Sequence, residues 1–157
     1  MTGRKRKVAV IGALNVDIGG RPLKRPVAKD SNPGKVSVRP GGVGRNIAHN
    51  LRLLGLDVKL LSAVGADEHG GLLLQSCAVH GIDTSLCLRA EDENSSTYLY
   101  ITDEHGEMQL AVADMDVTAR LTPAVMAERL ADGVRKAERN GYLRLGEAEQ
   151  LLKEIGA

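Results

Sequence analysis

The sequence predicts an α/β protein, and three observations point there. Two short, almost wholly apolar runs, Val8–Leu14 and Lys59–Gly65, have the composition of strands buried on both faces. Each is followed downstream by a segment with helical apolar spacing, Gly42–Leu54 and Glu68–His80. That order, strand, helix, strand, helix, implies parallel strands joined by right-handed crossovers. The middle of the chain instead alternates polar and apolar residues, the pattern of half-exposed strands.

The elements follow in order. A basic start, Arg4-Lys5-Arg6-Lys7, reads as a solvated tail before the strand Val8–Leu14. Arg21–Arg39 is polar and holds Pro22, Pro26 and Pro33, with Lys35-Val-Ser-Val-Arg39 alternating as a strand does. It reads as a small excursion from the main sheet. The first helix places Ile47, Leu51 and Leu54 on one face and Arg45, His49 and Arg52 elsewhere, with Gly55 as its C′ residue. The second turns Leu72, Leu73 and Cys77 inward and stops at Gly81. Thr84–Arg89, Thr97–Asp103 and Glu107–Val112 are strand candidates; Glu91–Ser96 is a charged loop, and Asp103-Glu-His-Gly106 suits a hairpin turn. Thr122 as N-cap and Pro123 at N1 open a helix that runs to about Arg139 and closes at Asn140-Gly141. A last helix, about Leu143–Ile155, keeps Leu145, Ala148, Leu152 and Ile155 on one stripe.

Composition narrows the function classes. A chain of 157 residues is one domain or a large domain fragment. A net charge of +1, from 21 basic and 20 acidic residues, makes no general case for nucleic acid or membrane. With no Phe or Trp and only three Tyr, aromatic base-stacking platforms are not expected, and the core must be built from Leu, Val, Ile and Ala. Cys77 and Cys87 form no CxxC pair and follow no signal-peptide pattern, so reduced thiols in a cytoplasmic protein are expected. His49, His69, His80 and His105 are scattered, and no metal site is expected on them.

Two constellations carry chemistry. In Pro40-Gly41-Gly42-Val43-Gly44-Arg45-Asn46, glycines stand just before a helix, where the backbone can approach a ligand and aim its free N–H groups at it. A flexible loop that happens to hold glycine is the equal alternative. The stretch is neither a Rossmann fingerprint, since Gly12-Ala-Leu-Asn-Val-Asp17 follows the first strand, nor a Walker loop, since Gly44-Arg45-Asn46 lacks the Lys and Ser/Thr. The second constellation is Asn15-Val16-Asp17, at the carboxyl end of the first strand, where open α/β sheets bind ligands. A carboxylate and a carboxamide two residues apart match the vicinal hydroxyls of a sugar. An Asx turn leaving the strand is the bland alternative.

"GALNVD", "GGVGRNIAHNLRLLG" and "LLSAVGADEHG" follow one another as they do in the ribokinase-like (PfkB-type) carbohydrate kinases, which this chain resembles from about Val8 to Leu130. "DSNPGKVSVRPGGVGRNIA" and "GEMQLAVADMD", with Val43 where ribokinases tend to carry Lys, resemble the pseudouridine kinase branch of that family. The resemblance implies a partial doubly wound sheet with a small β lid formed by about 18–40 and 95–113 (residues 1–132 in all), and a helical tail over 133–157 that does not match. It implies that Asn15 and Asp17 hold ribose hydroxyls, that Gly41, Gly42 and Asn46 close on the same sugar, and that Ser31, Asn32 and Lys35 lie near the base. It also implies ATP and Mg as cofactors, a nucleoside or sugar as partner, and a homodimer paired through the lids.

The family's Gly-Ala-Gly-Asp signature, an anion hole with its catalytic Asp, is not in the sequence given. Val64-Gly65-Ala66-Asp67 lacks the second glycine and reads as structural or substrate-proximal, so no catalytic residue is assigned. The expected function is an ATP-dependent nucleoside kinase, phosphorylating a ribose 5′ hydroxyl, present without its catalytic half. The alternative is a nucleoside-binding or dimerising remnant.

Overall fold

The computed structural model describes residues 7–139 and 145–154. Its elements run β1 (Lys7–Ile11), β2 (Asn15–Pro22), β3 (Gly34–Gly41), α1 (Val43–Leu53), β4 (Asp57–Leu61), β5 (Ala63–Gly65), α2 (Glu68–Val79), β6 (Leu88–Ala90), β7 (Thr97–Thr102), β8 (Met108–Asp114), a 3-10 turn at Asp116–Arg120, α3 (Pro123–Arg139) and α4 (Leu145–Glu154). Lys7 thus belongs to the first strand rather than to a tail. The expected stop at Asn140–Gly141, and Ile155 of the last stripe, lie outside the described residues.

Two layers of different character result. In the first, β1 pairs with β4 and β5 with β6, all parallel. The run expected as one strand over 59–65 is divided at Ser62, whose carbonyl accepts from Leu88 N–H at 2.9 Å. The candidate strand at 84–89 is shortened to its end, because the Asp83 carboxylate accepts from Ser85 N–H and Thr84 O from Cys87 N–H, folding that stretch into a turn. The core gathers Val10, Leu14, Val16, Val58, Leu60, Val64, Leu73 and Cys77, all buried. Burial pushes the Cys87 thiol up to about 12, so it is inert at neutral pH.

The helices dock by their smallest residues. α1 buries Gly44 and Ala48, with Leu51 packed on the core, while Ile47 and Leu54 are exposed. The inward face is therefore rotated from the one expected on the large aliphatics. The cause is close approach: a Cβ on Gly44 would stand 2.6 Å from the carbonyl carbon of Gly12. In α2, Gly70, Leu73 and Cys77 are buried and Leu72 is turned outward. Gly55 and Gly81 follow the two helices with positive φ, as C′ residues do. Thr122 caps α3 through its hydroxyl, which accepts from Val125 N–H.

The second layer is a four-stranded sheet of order β3-β2-β7-β8, with β2 and β7 parallel and both outer pairs antiparallel. β2 was not expected as a strand. Its Asn, Asp and two Gly are poor strand formers, yet eight residues pair with β3 on one side and five with β7 on the other. Register assigns the faces. Val16 and Ile18, with Thr97, Leu99, Val112, Val38 and Val36, take one face; Asn15, Asp17, Gly19, Tyr98, Tyr100, Arg39 and Ser37 take the other.

Candidate functional site

Asn15 and Asp17 open β2 and stand two residues apart on the same side of the sheet. Asn15 Nδ2 donates to Asp17 Oδ1 at 2.7 Å. A carboxylate only accepts, so this contact fixes which way the Asn15 amide points. It also leaves Asp17 with lone pairs for further donors and Asn15 with a carbonyl oxygen. Asn15 is buried and Asp17 partly exposed, so the pair is braced at its root and open at its tip. Asn15 lies opposite Gly41 on β3, and a Cβ there would collide with the Asp17 carboxylate. Gly41 is the absence of a side chain that this carboxylate needs.

The next glycine answers a backbone demand. Gly42 caps α1 at φ +97°, a left-handed conformation that side chains rarely adopt, pressed against the Ala13 carbonyl. The first-turn N–H of Arg45 donates to that same carbonyl at 3.2 Å. The glycine-rich entry to α1 thus holds the helix start against the 12–14 link, beside Asn15. Asn46 is exposed in the first turn, and its Oδ1 accepts from the Arg45 guanidinium at 3.2 Å.

Asn15, Asp17, Gly41 and Gly42 are brought together, with Asn46 one turn into the adjoining helix. Ser31, Asn32 and Lys35 are not. Lys35 faces Arg21 in register, four residues along β2 from Asp17, about 13 Å of strand. Ser31 and Asn32 lie farther out, in the loop that joins β2 to β3. Asn32 is occupied there: its Oδ1 accepts from Val27 N–H at 2.7 Å, and its Nδ2 donates to the carbonyls of Val27 and Asp30. It shapes the loop tip.

Asp67, in the stretch with partial likeness to a catalytic signature, is the N-cap of α2. Its carboxylate accepts from Gly70 N–H at 2.8 Å and from the Ser95 N–H at 2.9 Å and hydroxyl at 2.5 Å. Burial pushes the Asp67 carboxyl up, but the Ser95 and Gly70 donors outweigh it and hold the acid below the usual carboxylate range. Beside it, a cleft of about 370 Å³ is lined by His69, Thr97, Leu99, Val112 and Asp114. Thr97 donates to the Ser95 carbonyl, so the His69 Nδ1 at 3.2 Å must be the donor of their contact.

Sequence reasoning passed over Tyr98 and Tyr100. Tyr98 is the register partner of Asp17, and Tyr100 that of Gly19. Their rings lie 5.9 Å apart, tilted by 32°. The signal was there to read, since Tyr98-Leu-Tyr100 alternates and so puts both rings on one face.

Among the described residues no group of three or more His, Cys, Asp and Glu side chains is placed to hold a metal ion, and no helix is long and apolar enough to cross a membrane.

Known proteins resemble this chain in sequence and fold. The sequence profile of the pfkB family carbohydrate kinases matches residues 5–138. The Escherichia coli K12 pseudouridine kinase is 44% identical over 124 residues, which are 79% of this chain and 40% of that kinase. A carbohydrate kinase structure from Agrobacterium tumefaciens superposes with a TM-score of 0.74 at 27% identity, over 80% of this chain and 42% of its own. A ribokinase from Giardia lamblia, 21% identical, shares the fold with a TM-score of 0.67 over 82% of this chain and 39% of its own. The chain thus spans about two fifths of the length of these kinases. With its core layer, its outlying β sheet and its profile match over most of its length, the chain has a ribokinase-like fold and belongs to the pfkB family of carbohydrate kinases.

Proposed function

We propose that this chain is the sugar-binding portion of a nucleoside kinase, one that transfers the γ-phosphate of ATP to the ribose 5′ hydroxyl of pseudouridine. The observation that carries the reading is the Asn15–Asp17 pair, clamped to each other and left open beside a helix entry that carries no side chain at Gly41 and Gly42. Two vicinal hydroxyls donating to the Asp17 carboxylate, with the Asn15 carbonyl oxygen beside it, satisfy such a pair. Similarity to the E. coli pseudouridine kinase supports the choice of nucleoside. On this reading the β3-β2-β7-β8 sheet is a lid, Asn46 closes on the sugar from α1, and Ser31, Asn32 and Lys35 approach the base when the loop tip folds inward. The thiols are free, which fits a cytoplasmic protein.

ATP and Mg are cofactors expected of the family, and no step through them is assigned to these residues. The 157 residues alone are predicted to bind nucleoside without phosphorylating it. The test is Asp17→Ala, followed by calorimetric titration with pseudouridine and by thermal unfolding. The expected result is loss of binding with the cooperative fold retained and the melting temperature lowered by only a few degrees, since Asn15 Nδ2 loses its acceptor; retained affinity would refute the assignment.

A homodimer through the lids has its own support. The lid face opposite Asp17 exposes Val36 (75%), Val38 (51%), Leu110 (64%) and Val112 (57%), an apolar stripe on a sheet with open edges. A second copy of the same stripe would cover it by two-fold symmetry. Val38→Glu with Leu110→Glu should convert a dimer to a monomer by light scattering; a wild-type monomer at micromolar concentration would end this reading.

A further inference from the structure

The face that carries Asn15 and Asp17 continues along the sheet past the proposed ribose site, to Gly19 and Tyr100. Both tyrosines among the described residues stand on this continuation, and neither is fully exposed. Tyr100 lies over its register partner Gly19, where a Cβ would stand 2.5 Å from the ring's Cζ and Oη. The glycine thus lets the ring rest on the sheet, as aromatic residues do beside cross-strand glycines. Tyr98 is tethered at its other end, its hydroxyl 3.4 Å from the Met108 sulfur. Ring positions fixed at both residues resemble a prepared surface more than a core contact, because, apart from Met108 at the rim, their register neighbours on this face are small, Gly19, Ala111 and Ala113.

The spacing matters. Asp17 is level with Tyr98, and Tyr100 is two residues on, about 7 Å of strand. That is the reach of a furanose ring and the bond to its base. Every nucleobase has a π face, so an aromatic ring at that distance favours a nucleoside without reading its edge. We infer that Tyr98 and Tyr100 form a stacking platform for the base of a nucleoside whose ribose Asn15 and Asp17 hold, and that this platform selects nucleosides over free pentoses. The inference deepens the nucleoside-kinase reading and rests on it.

The test uses the 157-residue chain and its Tyr100→Leu, Tyr100→Phe and Asp17→Ala variants, titrated with pseudouridine and with ribose. Wild type should prefer pseudouridine. Tyr100→Leu should weaken pseudouridine binding about tenfold and leave ribose unchanged. Tyr100→Phe should bind as wild type, which separates the ring from its hydroxyl and checks that the lid is intact. Because the chain has no Trp, quenching of tyrosine emission by pseudouridine and not by ribose is a second readout. If Tyr100→Leu binds pseudouridine like wild type while Asp17→Ala loses it, the platform is refuted and the sugar site stands. If wild type binds neither ligand, the platform and the nucleoside reading fall together.

Discussion

The core layer and the lid are both built from strands, but they use side chains in opposite ways. In the core, Leu60, Leu61, Val64 and Leu73 are fully buried, and each contributes by filling space. In the lid sheet, successive residues diverge: Asp17 and Tyr98 go to one side, Ile18 and Leu99 to the other; the second side is covered by the core only at its inner end, where Val16 and Ile18 pack, and Val36, Val38, Leu110 and Val112 are exposed beyond it. Stability is therefore concentrated in the core, and the proposed recognition surface lies on the outer sheet. The same division explains why Asn15 sits where it does. It is the first residue of β2, buried at the seam, so the rigid layer orients the side chain that braces Asp17.

The largest effect should come from the core. Leu60→Ala is expected to cost about 2–5 kcal/mol in denaturant unfolding, whereas Leu110→Ala in the exposed lid should stay within about 0.5 kcal/mol under monomeric conditions. Equal losses would erase the distinction between the layers. The seam comes next. Asp67→Ala removes the α2 cap and strands the Ser95 donors, and about 1–2 kcal/mol should be lost. The acid's pKa is lower folded than unfolded, so its contribution is complete above the ordinary carboxylate range and disappears as pH falls through the folded value. Asp67→Asn should flatten that part of the acid-unfolding curve.

The smallest effect concerns His49 and His80, whose rings meet at 3.9 Å between α1 and the end of α2. Partial burial, then His80, then Arg45 hold the His49 pKa below its usual 6.5. A depressed histidine stabilises the fold while neutral, so stability should begin to fall as pH drops below about 6.5 toward the folded value. His49→Gln should remove that modest slope; an unchanged slope would assign it to another group.

Much of the core was legible because its signals agree. Apolar runs gave β1, β4 and β5; Thr122 and Pro123 marked the start of α3, and Gly55 and Gly81 the ends of α1 and α2. The errors have physical causes. β2 is held by neighbours on both sides, so pairing overrides the weak propensity of Gly19 and Gly20. α1 turns Gly44 and Ala48 inward because Gly12 approaches too closely for a larger residue, and a rule that seeks large aliphatics picks the wrong face. At the candidate site, residue type left an Asx turn and a flexible loop open, and it was the family resemblance that brought Asn15, Asp17 and Gly41 together as they are in the structure. The displacement of Ser31 and Asn32 was not, since it depends on hairpin length. Counting aromatics said that Tyr98 and Tyr100 were few; their alternation puts both on one face, and only the register of β7 against β2 says that this is the face of Asp17.

On the proposed reading one face of the lid, and not the other, receives a nucleoside. The most direct measurement is a two-dimensional amide NMR titration of the 157-residue chain with pseudouridine. Shifts are expected at Asn15–Gly19, Gly41, Gly42 and Tyr98–Tyr100, with Val36, Leu110 and Val112 unmoved. Shifts confined to the cleft around His69 and Asp114, or no shifts at millimolar pseudouridine, would contradict it.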